Sequence, residues 1–380
     1  MMDFGYGRNL ETNRGMLIQV HIADIHFGAF DPKTQYQILC EQFLTPISQL
    51  PKLDVIVIDG DLFDHKVMSN SDVAMYATMF VDQLVNLARS KNSTLVILSG
   101  TYSHDYDQLK LFYHYMEDKT VDVRIITTIK FEYIKGARVL CIPELYGLDE
   151  SVYQKFFFHS GYYDEAFIHG TYQGSVYGDT VGAGRLLTEK DFTLCTGVAI
   201  SGHVHKSGCF NGFYYYCGCP YRWKFGEEED KGFLILGHDL DTQYHYVEFM
   251  KIESFRYDTI FLDQLISEDP KEIIDYINQL KQEQGIDYIK VKFRYPITGY
   301  NKTVINNYYR TNPYVTPDFS ETKKDELKKQ EVLDNQNIQY SYLMDKDMND
   351  FDRFVKYVND NEGCEFITVQ KLNELLSEAI

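Results

Sequence analysis

Between Gly15 and Gly237, short apolar runs rich in β-branched residues alternate with longer stretches whose apolar residues recur near every third or fourth position. Residues 16–23, 53–59, 94–99, 166–168 and 198–201 are the runs. Several are apolar at every position, the pattern of a strand covered on both faces. The intervening segments 31–50 and 71–91 have helical length and periodicity. This alternation predicts an α/β domain. Its reactive polar residues fall where strands end, which is where open α/β sheets place their sites.

A second unit begins near Lys251. Asp269 is placed to cap a helix, Pro270 suits its first position and Gly285 its stop, and Ile273, Ile277 and Leu280 form a stripe between them. A strand follows, in which Ile289, Val291 and Phe293 alternate with Lys290, Lys292 and Arg294. One face is therefore buried and the other is a row of cations, which reads either as a solvated face or as a DNA-contacting one. Residues 312–339 turn polar and carry Pro313 and Pro317, as a linker or exposed helix would. Beyond them Met344, Met348, Phe351, Val355 and Val358 repeat at helical spacing, and Val369, Leu372, Leu376 and Ala379 do so again after Gly363. Two short helices cannot bury such stripes alone. They dock on their own domain or embrace a helical partner, with Met348, Phe351, Val355, Leu372 and Leu376 as the partner-binding candidates. The expected organisation is thus 1–250, 251–311 and 312–380.

Composition narrows the class. With 44% hydrophobic and 15% aromatic residues the 380-residue chain can fill a core, which excludes disorder. No apolar run approaches the roughly 20 residues of a membrane span, and the first residues lack a basic-then-apolar signal, so the expectation is a soluble cytoplasmic protein without membrane contact. Seven cysteines without paired C-x-x-C spacing read as reduced thiols; Cys217 and Cys219 alternate in an apolar run as packed small residues would. A net charge of −19 means that any contact with nucleic acid is local or is supplied by a partner.

The chemistry concentrates at strand ends. Asp24 and His26 follow the first run; if extended there, they project to one side, and a carboxylate with an imidazole suits Mn²⁺, Fe²⁺ or Zn²⁺. Asp61 follows Gly60 after the second run and could bridge two cations, with Asp59, Asp64 and His65 as supporting or capping groups. A loop from Gly100 to Asp105 contains Ser103 and His104. His169 ends a further run, and His203 and His205 end another. Two imidazoles closing a buried strand are costly without a partner such as a metal ion.

In order and spacing, Asp24-Ile25-His26, Gly60-Asp61, Ser103-His104-Asp105, His169 and Gly202-His203-Val204-His205 resemble the motifs of calcineurin-like metallophosphoesterases. Asp61-Leu62-Phe63-Asp64 and Gly218-Cys219-Pro220-Tyr221-Arg222, continuing through Phe225-Gly226-Glu227, look like the SbcD-type DNA repair and recombination nucleases. The resemblance implies a sandwich of sheets flanked by helices, with a small α+β capping domain and a helical tail. It implies two divalent metal ions, foremost Mn²⁺: one on Asp24, His26, Asp61 and His205, the other on Asp61, His169, His203 and the family's Asn position, here read as Ser103. The family's Gly-Asn-His-Asp is stretched by Thr101 and Tyr102, and a serine hydroxyl is a poorer ligand than a carbonyl oxygen. His104 would be the catalytic acid. The activity implied is 3′ to 5′ exonuclease and single-strand endonuclease cleavage of DNA, in partnership with an SbcC-type coiled-coil ATPase, with a second copy of the chain as a further candidate partner. Another calcineurin-like phosphatase would share the metal residues. A non-catalytic scaffold would follow if Ser103 marks a decayed second site.

Overall fold

The computed structural model describes residues 15–320 apart from 106, 176–184, 223, 228 and 313. The candidate partner-binding residues Met348, Phe351, Val355, Leu372 and Leu376 lie outside the described residues. Two compact units divide the chain: Met1–Asp258 with Gly285–Asp287, and Thr259–Gln284 with Tyr288–Ile380.

In the first unit, β1 (Met16–Ile22), β2 (Val55–Asp59), β3 (Thr94–Leu98) and β4 (Asp122–Ile126) form the parallel heart of one sheet. The second sheet is built on β6 (Ala137–Ile142), β7 (Tyr163–His169) and β8 (Cys195–Gly202), which are parallel, with β5 (Lys130–Ile134) antiparallel at one edge. Its other edge is β10 (Tyr214–Tyr216) and β9 (Gly208–Phe210). The first sheet is completed by β11 (Lys231–Asp239) and β12 (His245–Ile252), both joined antiparallel.

The fully apolar runs have the reason the sequence suggested. On β2, Ile56 and Ile58 pack outward against Phe80 and Leu84 of α3 (Asp72–Lys91), while Val55 and Val57 face Val139 and Phe167 of the other sheet. The other α-helices among the described residues of this unit are α1 (Pro32–Leu39), α2 (Thr45–Ser48), α4 (Tyr102–Asp105) and α5 (Glu150–Phe158). The outer face of the second sheet is covered in turn by Tyr153 and Phe157 of α5. The unit is a mixed α/β sandwich, helices outside and two six-stranded sheets between.

The inner layer is not wholly apolar. Glu165 accepts a hydrogen bond from Gln19 and faces His238 Nδ1 at 2.6 Å, and Asp59 Oδ2 meets His21 Nδ1 at 2.8 Å, all five groups being buried. Each pairing satisfies one polar atom of the groups it joins, while Gln19 Oε1, His21 Nε2, Asp59 Oδ1 and His238 Nε2 are left without a hydrogen-bond partner among the described residues.

Some expectations shift. The helix predicted over residues 31–50 is broken into α1, a π-helical turn at Cys40–Leu44 and α2. Pro46 has no N–H for the regular ladder, and the N–H and Oγ1 of Thr45 both donate to Cys40 O. The boundary expected at 250 falls inside β12, which pairs with β11 as far as Ile252. In the second unit α6 (Pro270–Glu283) begins and ends as its caps predict: Asp269 accepts from Lys271 N, and Gly285 stands at φ 62°. After it come β14 (Tyr288–Phe293), α7 (Gly299–Tyr309) and β15 (Val315–Asp318), with β13 (Tyr257–Leu262) on the far side of β14. β15 pairs in parallel with β14, so the polar linker expected from residue 312 starts with a strand. Among the described residues no helix is long and apolar enough to cross a membrane.

The inter-sheet layer is tested by Phe167, buried completely between the sheets with its ring 5.0 Å from that of His21. Phe167→Ala should cost about 3–5 kcal/mol in denaturant unfolding. Tyr133→Ala, on the exposed end of β5, should stay within about 0.5 kcal/mol. Equal effects of the two would contradict the sandwich packing.

Candidate metal centre

The strands that run parallel in each sheet bring their carboxyl ends to one place. From the first sheet come Asp24 and His26 after β1, Asp61 after β2 and Thr101 after β3. From the second come Glu144 after β6, His169 at the end of β7, and His203 and His205 after β8. The loops are stitched together: Asp24 N donates to Gly60 O at 3.1 Å and His26 N to Asp61 O at 3.0 Å.

Asp24 and His26 are not extended, as their spacing had suggested. They stand at φ 51° and 49°, with Asp61 at 50° and His203 at 85°. Four non-glycine residues in a conformation costing of order 1–3 kcal/mol each mark a place where geometry is held against local preference. Two glycines make the crowding feasible. A Cβ on Gly60, at φ 89°, would sit 2.2 Å from the His169 ring, and one on Gly100 would sit 2.2 Å from Asp61.

The side chains form two lobes. In the first, Asp24 Oδ1 is 3.9 Å from both His26 Nε2 and His205 Nε2, and His26 Nε2 is 3.7 Å from Asp61 Oδ2. In the second, His169 Nε2 is 3.3 Å from the same Asp61 Oδ2 and 3.8 Å from Glu144 Oε2, which lies 3.2 Å from His203 Nδ1. Donor atoms around one ion at 2.0–2.2 Å stand roughly 3–3.6 Å apart. These separations, mostly too long for hydrogen bonds, therefore fit groups arranged to ligate cations, with Asp61 common to both lobes.

The supports are specific. His169 Nδ1 donates to Asp59 O at 2.7 Å, which leaves Nε2 facing the lobe. His26 Nδ1 lies 3.5 Å from Asp64 Oδ1, and His205 Nδ1 3.5 Å from Glu227 Oε1. Asp24 accepts from His203 N at 2.9 Å. Buried Asp105 accepts from the N–H groups of Gly100, Asp61 and Phe63, locking the loop that carries Asp61. His104 bonds through Nδ1 to Asp64 O, and its ring lies 4.6 Å from that of His26. His65 is exposed, and its ring pairs with the neighbouring Asp64.

Charge balance explains the mixed donor set. Burial pushes Asp61 up, but His169, then His26 and His104, outweigh it and hold the carboxyl well below its usual range. Burial likewise raises Glu144, and His203 and His169 overcome it. Burial would lower His169, yet Asp61, Asp24 and Glu144 raise it well above the usual imidazole value. Asp24, buried with weaker compensation, is raised, and burial takes His205 down to about 4. Without cations, imidazolium charge on His169 balances the carboxylates of Asp61 and Glu144. Divalent ions would replace those protons.

Asp24, His26, Asp61, His104, His169, His203 and His205 are thus brought together. Ser103 is the exception. It is exposed on α4, on the wall of a cavity that Glu144 also lines. Thr101, directly after Gly100, reaches the centre instead: its N donates to Asp61 Oδ1 at 2.6 Å, and its hydroxyl to Glu144 Oε2 at 2.9 Å. The group that completes the second lobe is Glu144, a lone carboxylate without a motif. Its only sequence signal is its place just after the apolar run of β6. Cys219 lies buried beside His205 and Glu227, and Cys217 hydrogen-bonds Asp59.

Lys290, Lys292 and Arg294 alternate with buried Ile289, Val291 and Phe293 as expected. Their charge is partly spent within the second unit: Arg294 stacks 3.8 Å above the Phe261 ring and pairs with Asp263, and Lys292 lies 5.8 Å from the same ring.

No family model matches the chain, and no curated protein does. Among solved structures, one is 13% identical, covering 62% of this chain and 100% of its own, at a TM-score of 0.40. Another, a protein of unknown function from Aquifex aeolicus, is 15% identical over 45% of this chain and 88% of its own, at a TM-score of 0.21. Likeness this loose says nothing about chemistry, which has to be read from the site.

The lobes differ in a testable way. Glu144→Gln should weaken binding of one of two Mn²⁺ ions about 10- to 100-fold in calorimetric titration, while Ser103→Ala should leave both steps unchanged. The opposite result, a loss on changing Ser103 and none on changing Glu144, would restore serine to the centre.

Proposed function

We propose that this chain is a two-metal phosphodiesterase of the calcineurin-like metallophosphoesterase type, acting on DNA as the nuclease subunit of an SbcC/SbcD-like complex. The observation that carries the reading is Asp61, whose Oδ2 serves both lobes of imidazoles and carboxylates. Asp24, His26, Asp61 and His205 would hold one cation, and Asp61, His169, His203 and Glu144 the other. Manganese suits three carboxylates mixed with four imidazoles. When bound, such a pair supplies Lewis-acid stabilisation of a phosphoryl group and acidifies the attacking water.

The chain's own residues do the rest. Asp59 O and Asp64 fix which nitrogen His169 and His26 present. His104, with Nδ1 committed to Asp64 O, offers Nε2 beside the centre as proton donor to the leaving oxygen. The left-handed backbone at Asp24, His26, Asp61 and His203 keeps the donors in place before substrate arrives, so little reorganisation remains for the reaction. A scaffold with a decayed second site is disfavoured, because Glu144 occupies the lobe that Ser103 leaves open. The row Lys290, Lys292 and Arg294 would add only modest phosphate contact, which suits a partner ATPase supplying most of the DNA affinity, one of the routes that the charge of −19 leaves open.

End-labelled duplex and single-stranded DNA should both be degraded with Mn²⁺ and spared in chelator. Asp61→Asn and His205→Ala should each lower cleavage at least about 100-fold with circular dichroism unchanged. Hydrolysis of a small phosphomonoester with DNA untouched would instead make the chain a phosphatase, and Asp61→Asn within about tenfold of the parent would overturn the shared-ligand assignment.

A further inference from the structure

Beside the second lobe lies a cavity of about 860 Å³ whose wall includes Gly100 and Glu144, so it opens onto the metal centre. Three tyrosines from separate elements converge on it: Tyr102 on α4, Tyr113 on the 3₁₀ helix Gln108–Glu117, and Tyr146 on the loop after β6. They are 58%, 39% and 39% exposed, so their rings are accessible. The cation of this wall, Lys110, pairs with Asp107 at 2.8 Å. The cavity is thus aromatic and nearly neutral, unlike a phosphate track.

We propose that this cavity seats an unstacked nucleobase of a single-stranded polynucleotide, next to the phosphate being cut. The inference rests on the nuclease reading and adds to it the place where a base beside the cut would sit. A phosphate at the shared Asp61 has its adjoining nucleoside within reach of the wall that Gly100 and Glu144 form. Duplex bases are already stacked and cannot enter, whereas a splayed base gains a tyrosine face. Stacking is indifferent to net charge, which gives a strongly acidic protein a hold on nucleic acid that salt bridges deny it. Tyr146 ties the cavity to the metals, since its hydroxyl donates to Glu144 Oε1 at 2.9 Å while Oε2 faces His203.

The test uses single strands carrying one 2-aminopurine, titrated with the full-length protein in Ca²⁺, and the matched duplex as control. Fluorescence should be quenched on binding for the single strand and not for the duplex. Tyr102→Ala and Tyr113→Ala should each weaken single-strand affinity between about fivefold and about a hundredfold, and Tyr146→Phe should keep the affinity that Tyr146→Ala loses. Affinity and quenching unaltered in all three alanine variants would overturn the proposal even if Mn²⁺-dependent cleavage is intact. Tyrosine-dependent quenching without any cleavage would uphold the base pocket and defeat the nuclease reading instead.

Discussion

Asp61 is the residue on which the two halves of the sandwich meet. Its backbone O accepts from His26, its N–H is held by Asp105, one carboxylate oxygen takes the Thr101 N–H, and the other faces His26 on one side and His169 on the other. A buried carboxylate with that many neighbours has one tenable orientation. It exists only because Gly60 and Gly100 lack side chains where any Cβ would collide. The rest follows from placing this junction at the ends of parallel strands, where two sheets can deliver charged residues into one cleft without interrupting either hydrogen-bonded ladder.

Beneath the cleft, the polar layer of Gln19, His21, Asp59, Glu165 and His238 looks out of place among valines and leucines. It lies on the same inner faces that end in the ligands. Asp59 joins the two levels: its side chain holds His21 and its carbonyl orients His169. An apolar residue at 59 would pack as well and keep the carbonyl, but it would leave His21 unpaired and loosen the strand end that aims His169. Buried pairs of this kind rarely add much stability, and their contribution here is orientation.

Much of the site is legible in the sequence because strand-end residues are punctuated by sharp features. Asp24, His26, Asp61, His169, His203 and His205 each close an apolar run, and a polar, metal-competent side chain at that position carries meaning on the strength of the pattern alone. Ser103 is misplaced by the same pattern because a motif aligned by His104 assumes a fixed loop length. With Thr101 and Tyr102 added, the turn lifts position 103 into solvent and brings position 101 to the centre. Glu144 is invisible for a different reason: it reaches the second lobe from another strand, and spacing along one chain cannot report what is brought together across space. The helix break at Pro46 could have been read from the proline. The strand at Val315–Asp318, with Pro317 in it, reads as linker because its neighbour β14 supplies the pairing that its own composition does not advertise.

The division of the donors between two sheets has a further consequence. Asp24, His26 and Asp61 belong to one layer, and Glu144, His169, His203 and His205 to the other, so an ion bound in either lobe is a rivet through the sandwich. By mass action, ligand at a hundred times its dissociation constant adds about 2.7 kcal/mol to folding. With cations held there as proposed, the melting point would become a gauge of the cation supply, and removal of metal would loosen the seam between the layers.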